Sequence, residues 1–221
     1  MRRLQLLGQF IAIRTRKESF ATIKLVAPPL EQDPRALAGS NVPTKQSVLP
    51  TICTMTRALF VVDVQNWGFS GDWALPNHES LLERISERLA KARNDGELIV
   101  HIQNDGDEGE LDAPGEHFWQ LVLEPLPGEL VVRKTTQDTF ESNPELAPDL
   151  IKSSVHEVEL IGAQSELCVL QTAKGARAAG FSVFTSRQLH GTYDGGYPGA
   201  ESGPSNVELS DLVQQQIENL N

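Results

Sequence analysis

From residue 57 onward, short continuous apolar runs alternate with stretches whose apolar positions recur three or four residues apart. Residues 58–62 (ALFVV) form an unbroken apolar run closed by Asp63, the pattern of a central parallel strand buried on both faces. Runs at 97–103 (ELIVHIQ), 129–133 (ELVVR), 157–161, ending in Gly162, and 181–185 (FSVFT) read as four more strands. Between them, Leu81, Leu82, Ile85 and Leu89 make the apolar stripe of a helix over 77–93, with Asn77 as its N-cap. Further helices are predicted over 144–153, over 168–179 with Gly180 as the stop, and over 207–220 after a polar, Gly-rich loop at 191–205. Strand and helix alternate without an internal repeat. The fold class is therefore α/β, a three-layer α/β/α Rossmann-like arrangement around a mostly parallel sheet of five to six strands.

Residues 1–56 break this pattern. They carry eight basic against three acidic side chains, whereas 57–221 carry eleven against twenty-seven. The first twenty residues are basic and nearly free of acid, and Pro28, Pro29, Pro34, Pro43 and Pro50 follow. This is the composition of a disordered or targeting extension, compatible with a mitochondrial transit peptide. A simpler reading starts the working protein at Met55. The expected location is intracellular and cytoplasmic, or mitochondrial if 1–56 is a transit peptide.

The whole-chain balance of −11 argues against nucleic acid as a partner, because phosphate binding needs a surplus of Lys and Arg. No run reaches the roughly 18–20 apolar residues of a membrane helix, so no membrane partner is expected. Cys53 and Cys168 are too few and too far apart for a disulfide framework.

In a parallel sheet, ligands collect beyond the carboxyl ends of the strands. Asp63 closes the first strand, Lys134 follows the third, and Cys168 opens the helix after the fourth. Taken singly, these read as a turn aspartate, a surface lysine and a packed thiol. Together on one sheet edge they read as a site. A helix N-terminus and a nearby ammonium lower a thiol's pKa, a carboxylate can take its proton, and the amides of Gln164 and Cys168 can stabilise an oxyanion.

Three blocks carry a family resemblance: ALFVVDVQNWGFS at 58–70, VVRKTTQDTF at 131–140 and LIGAQSELCVLQTAKGARAAG at 160–180. In them the chain resembles the isochorismatase-like cysteine hydrolases, which include nicotinamidases and N-carbamoylsarcosine amidase-like enzymes. The resemblance covers about residues 57–217, so the hydrolase domain is placed at 57–221. It implies Asp63 as general base, Lys134 as thiolate-stabilising cation and Cys168 as nucleophile. It also implies a cis peptide joining Ala163 to Gln164. The implied activity is hydrolysis of a small amide or related C–N bond through a thioester. Gln65 matches the family's Asp-x-Gln and is assigned to substrate binding. Trp67 either lines the substrate pocket or packs ordinarily.

The departures shape the expectation. Nicotinamidases carry an Asp-x-His arrangement with further metal-holding histidines. Here the histidines are 78, 101, 117, 156 and 190, and none makes such a pair. Neither a metal nor another cofactor is expected, and nicotinamide becomes a less favoured substrate. The family's sheet ends in a further strand after the last helix, whereas the pattern here predicts five strands and an open edge that a homo-oligomer would cover. The acidic stretch 105–127 reads as a lid or partner surface. A nucleotide-binding module lacks its G-x-G-x-x-G turn. A catalytically inactive family member serving in binding or assembly remains the rival reading.

Overall fold

The structure, a computed structural model, describes residues 57–221. The expectations for 1–56 lie outside the described residues. Strands β1 (Arg57–Val62), β2 (Leu98–Asn104), β3 (Leu130–Lys134), β4 (Glu157–Ala163) and β5 (Ser182–Phe184) are parallel, in the order β3-β2-β1-β4-β5. A sixth short strand, β6 (His190–Gly191), pairs with the end of β4, aligning His190 with Gly162 and Gly191 with Ala163. Sequence periodicity missed β6 because two residues show no alternation.

The continuous apolar runs are explained by two cores. Ala58, Phe60 and Val62 of β1 pack into one, Leu59 and Val61 into the other, as the period-two alternation of a strand requires. Helix α2 (His78–Asp95) covers the second face with Leu81, Ile85, Leu89 and Ala92, together with the short helix α1 (Asn66–Phe69). Helices α3 (Thr139–Ser142), α4 (Leu146–Lys152), α5 (Leu170–Ala178) and α6 (Asn206–Glu218) cover the first. Among the described residues, no helix is long and apolar enough to cross a membrane.

The helix ends follow local chemistry, with two corrections. Asn77 precedes α2 but lies in the left-handed region (φ 58°) and makes no side-chain cap. The last helix begins at Asn206 because Ser205 and Glu208 form a capping box, a Ser-x-x-Glu signal present in the sequence. Gly96 and Gly180 end α2 and α5 with positive φ, as helix-stopping glycines do.

Two surface features are tied down by bonds within the chain. The backbone N–H and C=O of Val183 on edge strand β5 are bonded by the side-chain amide of Asn221, at 2.9 and 2.7 Å. That edge is thus partly covered from within the chain. The acidic stretch after β2 runs antiparallel to residues 64–67, with Val122 N–H donating to Val64 and Asn66 N–H donating to Gln120. Trp119 donates to Asp105, and the Arg133 guanidinium stacks over its ring. It forms a tied-down wall beside the sheet edge.

Candidate active site

Sheet register builds the site. Val62 pairs with Ile102 on one side and Gly162 on the other, and Asn104 pairs with Lys134. The residues that end or follow β1, β2, β3 and β4 therefore emerge at one edge. Asp63, Lys134 and Cys168 are brought together there, as the sequence predicts. Asp63 takes φ 48°, a left-handed conformation tolerated by Asp, which turns the chain out of the sheet at this point.

The Lys134 ammonium is 1% exposed and has three acceptors for its three hydrogens. Nζ lies 2.8 Å from Asp63 Oδ2, donates to Asn104 Oδ1 at 2.9 Å and donates to Cys168 Sγ at 3.2 Å. Burial works against its charge, but Asp63 and Cys168 outweigh burial and hold its pKa above the ordinary lysine value. Asp63 is equally buried. Its carboxylate is held against Lys134 at 2.8 Å and faces the Cys168 thiol. Burial pushes its pKa up, against the pull of Lys134. A buried carboxylate with unused acceptor capacity suits a proton acceptor.

Cys168 departs from expectation. The helix starts earlier, with a wide π turn over Ser165–Val169, in which Val169 N–H reaches back to the Gln164 carbonyl at 3.1 Å. Cys168 is thus the fourth residue of that turn rather than the first of a helix. Burial and the adjacent Asp63 push its thiol pKa up, with Lys134 opposing. The anticipated lowering by a helix N-terminus does not dominate, because desolvation of the sulfur and the neighbouring Asp63 charge outweigh it.

The peptide joining Ala163 to Gln164 is cis, as the resemblance implies. The Gln164 side-chain oxygen and the Trp67 indole nitrogen are buried without partners among the described residues, while the Trp67 ring lies 6.5 Å from that of Tyr193. Gln65 is fully buried with its amide engaged: Nε2 donates to the carbonyls of Asn104 (3.0 Å) and Trp119 (2.8 Å), and Oε1 accepts from Asn104 N–H (2.8 Å). It ties the wall to β2 instead of presenting itself to a ligand.

Asn104 is the residue that sequence reasoning missed. Its Nδ2 donates to Asp112 Oδ2 at 2.7 Å, which fixes the amide so that its oxygen faces Lys134. The strand-end rule that singled out Lys134 would have found it one strand away. Among the described residues, no group of three or more His, Cys, Asp or Glu side chains could hold a metal ion. His101 is spent on Glu129 and His190 on Ser165, so the residues present do not fit the metal of nicotinamidases.

Comparisons with known proteins agree with this architecture. A streptothricin hydrolase of Streptomyces noursei is 40% identical over 160 residues, covering 72% of this chain and 61% of that protein. A second streptothricin hydrolase of the same organism is 44% identical over 140 residues, covering 62% of this chain and 50% of that protein. The chain thus spans between half and two thirds of these relatives. A crystal structure of an isochorismatase family protein superposes with a TM-score of 0.63 at 25% identity, covering 74% of this chain and 93% of that one. The isochorismatase domain model matches residues 57–197, and the chain belongs to that family.

Proposed function

We propose that the protein hydrolyses a small-molecule amide or related C–N bond, with Cys168 as nucleophile, Asp63 as proton carrier and Lys134 as charge stabiliser. One observation carries the reading: the buried Asp63 carboxylate lies 2.8 Å from the Lys134 ammonium, which also donates to the Cys168 sulfur at 3.2 Å.

Because the resting thiol is held protonated, attack and deprotonation are coupled. Cys168 Sγ bonds to the substrate carbonyl carbon as its proton passes to Asp63. The developing oxyanion is met by the backbone amides of Gln164 and Cys168. The Asp63 proton then leaves with the amine, generating a thioester. Water, deprotonated by Asp63, attacks the thioester carbonyl, and the sulfur departs with that proton. Lys134 stays charged throughout and offsets the negative charge that moves between Asp63 and sulfur. Trp67 and the Gln164 side chain offer one donor and one acceptor to the substrate, while Gln65 braces the wall.

Streptothricin is the first compound to try, given the relatives at 40% and 44% identity. A panel of primary amides, ureido acids and nicotinamide should accompany it, with mass spectrometry to detect water addition and an assay for ammonia. Turnover by the wild type that falls at least about a thousandfold in Cys168→Ala is the expected result. A folded protein with no Cys168-dependent turnover on any of these would favour the binding or assembly role.

A further inference from the structure

A second buried polar chain reaches the nucleophile turn, from the last helix. Ser165, the first residue of the π turn, is fully buried, and its hydroxyl lies 2.9 Å from His190 Nδ1 and 3.0 Å from Ser210 Oγ. His190 and Ser210 are themselves only 2% and 1% exposed. None of the three touches Asp63 or Lys134 by a hydrogen bond, and three buried polar side chains in an apolar layer need a reason.

The direction of the chain follows from its ends. Gln214 spends its amide N–H groups on the Thr185 carbonyl and the Glu218 carboxylate, which leaves Oε1 to accept from His190 Nε2–H at 3.4 Å. His190 Nδ1 is then an acceptor and takes the Ser165 proton. Ser165 in turn accepts from Ser210. Burial keeps the ring neutral by lowering its pKa to about 4. At the far end, α6 is pinned by its capping box and by Asp194, which accepts from both Asn206 nitrogens at 2.7 and 2.8 Å. The backbone of the same segment holds the other side of the turn, where Gly162 N–H donates to Leu189 at 2.8 Å and β6 pairs with Gly162 and Ala163.

We infer that His190 and Ser210 are positioning residues, which lock Ser165 so that the π turn presents Cys168 to Lys134 and Asp63 in reacting geometry. The turn needs such a lock because its widened spacing is not held by ordinary helical hydrogen bonding. Its Gln164 carbonyl is shared by Leu167 N–H at 3.3 Å and Val169 N–H at 3.1 Å. A displacement of the sulfur by about an ångström would lose the 3.2 Å contact with Lys134.

The inference rests on Cys168 being the nucleophile, and its test needs no substrate. The rate of Cys168 alkylation by iodoacetamide is measured in the full chain, resolved from Cys53 by peptide mass spectrometry. His190→Ala should slow alkylation by about ten- to a hundredfold, and His190→Asn should return it to within about threefold, since the Asn oxygen can accept the Ser165 proton. Ser210→Ala, which removes a single hydroxyl, should slow it several-fold with little change in melting temperature. If the Ala and Asn variants of His190 are equally slow, the ring only fills space and the inference is wrong. It is equally wrong if Ser210→Ala reacts at the wild-type rate, a result obtainable even if His190→Ala does not fold. Slowed alkylation in a protein that turns over no amide would sink the proposed hydrolysis and leave the positioning role standing.

Discussion

Asn104 and Lys134 are register partners on adjacent parallel strands, and the amide oxygen of the first accepts from the ammonium of the second at 2.9 Å. This pairing leaves the ammonium with one hydrogen each for Asp63 and Cys168. Asn104→Leu keeps the branched shape but leaves one buried hydrogen of Lys134 and one oxygen of Asp112 without their partner. A loss of about 1–3 kcal/mol in stability is expected by urea unfolding. Cys168 alkylation should slow at the same time, because the ammonium is free to swing away from the sulfur.

Removing the cation itself has a pH signature. Lys134→Met leaves the Asp63 carboxylate buried without its counter-charge, at a cost of about 3–5 kcal/mol at neutral pH. Asp63 then titrates with a folded-state pKa raised above its unfolded value. A raised pKa gives stability that is present at low pH and lost as pH rises through it. Relative to the wild type, the variant should therefore gain stability as pH falls from 7 toward 5. Adding Asp63→Asn should abolish that slope, and melting curves at several pH values would show both.

Gly162 is the register partner of Val62 where β4 runs beside β1. With φ +126°, a Cβ at this position would sit 1.9 Å from the Val62 carbonyl oxygen. Backbone cannot move aside as a side chain can. Gly162→Ala is expected to cost about 3 kcal/mol or more, or to prevent accumulation of folded protein. A wild-type melting temperature in this variant would show that the two strands are further apart than described.

Two buried groups set the response to acid. His190 is held neutral with its pKa lowered to about 4, by burial first and by Arg187, against Gln214 and Asp211. The stability it contributes is present above the unfolded value of 6.5 and is lost as pH falls toward 4, about 3 kcal/mol in all. Glu129 is held down at about 2: burial opposes this, but hydrogen bonds from Arg93, Leu126 and His101 prevail. Its share is present above 4.5 and disappears as pH falls toward 2. Denaturant titrations should show His190→Asn flattening the first window and Glu129→Gln the second.

The sequence by itself determined the sheet, the burial of its centre and the reactive side chains that meet at its edge. Five short apolar-rich runs separated by amphipathic stretches satisfy their hydrogen bonds as parallel strands, and the two central ones, β1 and β2, are buried on both faces. Parallel strands in turn put the residues that follow them, Asp63, Lys134 and Cys168, at one edge. What the tertiary structure alone decided depends on contacts between distant segments. Asn104 gains its role only from the register of β2 against β3, and Gln65 is claimed by the wall after β2 rather than by a ligand. The thiol of Cys168 is raised instead of lowered because burial and Asp63 act across the fold, which no local helix rule contains. His190, Ser165 and Ser210 are separated by 25 and 45 residues along the chain and meet only because β6 and α6 close over the turn. Local periodicity records which face of an element is buried; it carries no information about which polar side chain waits on the other side.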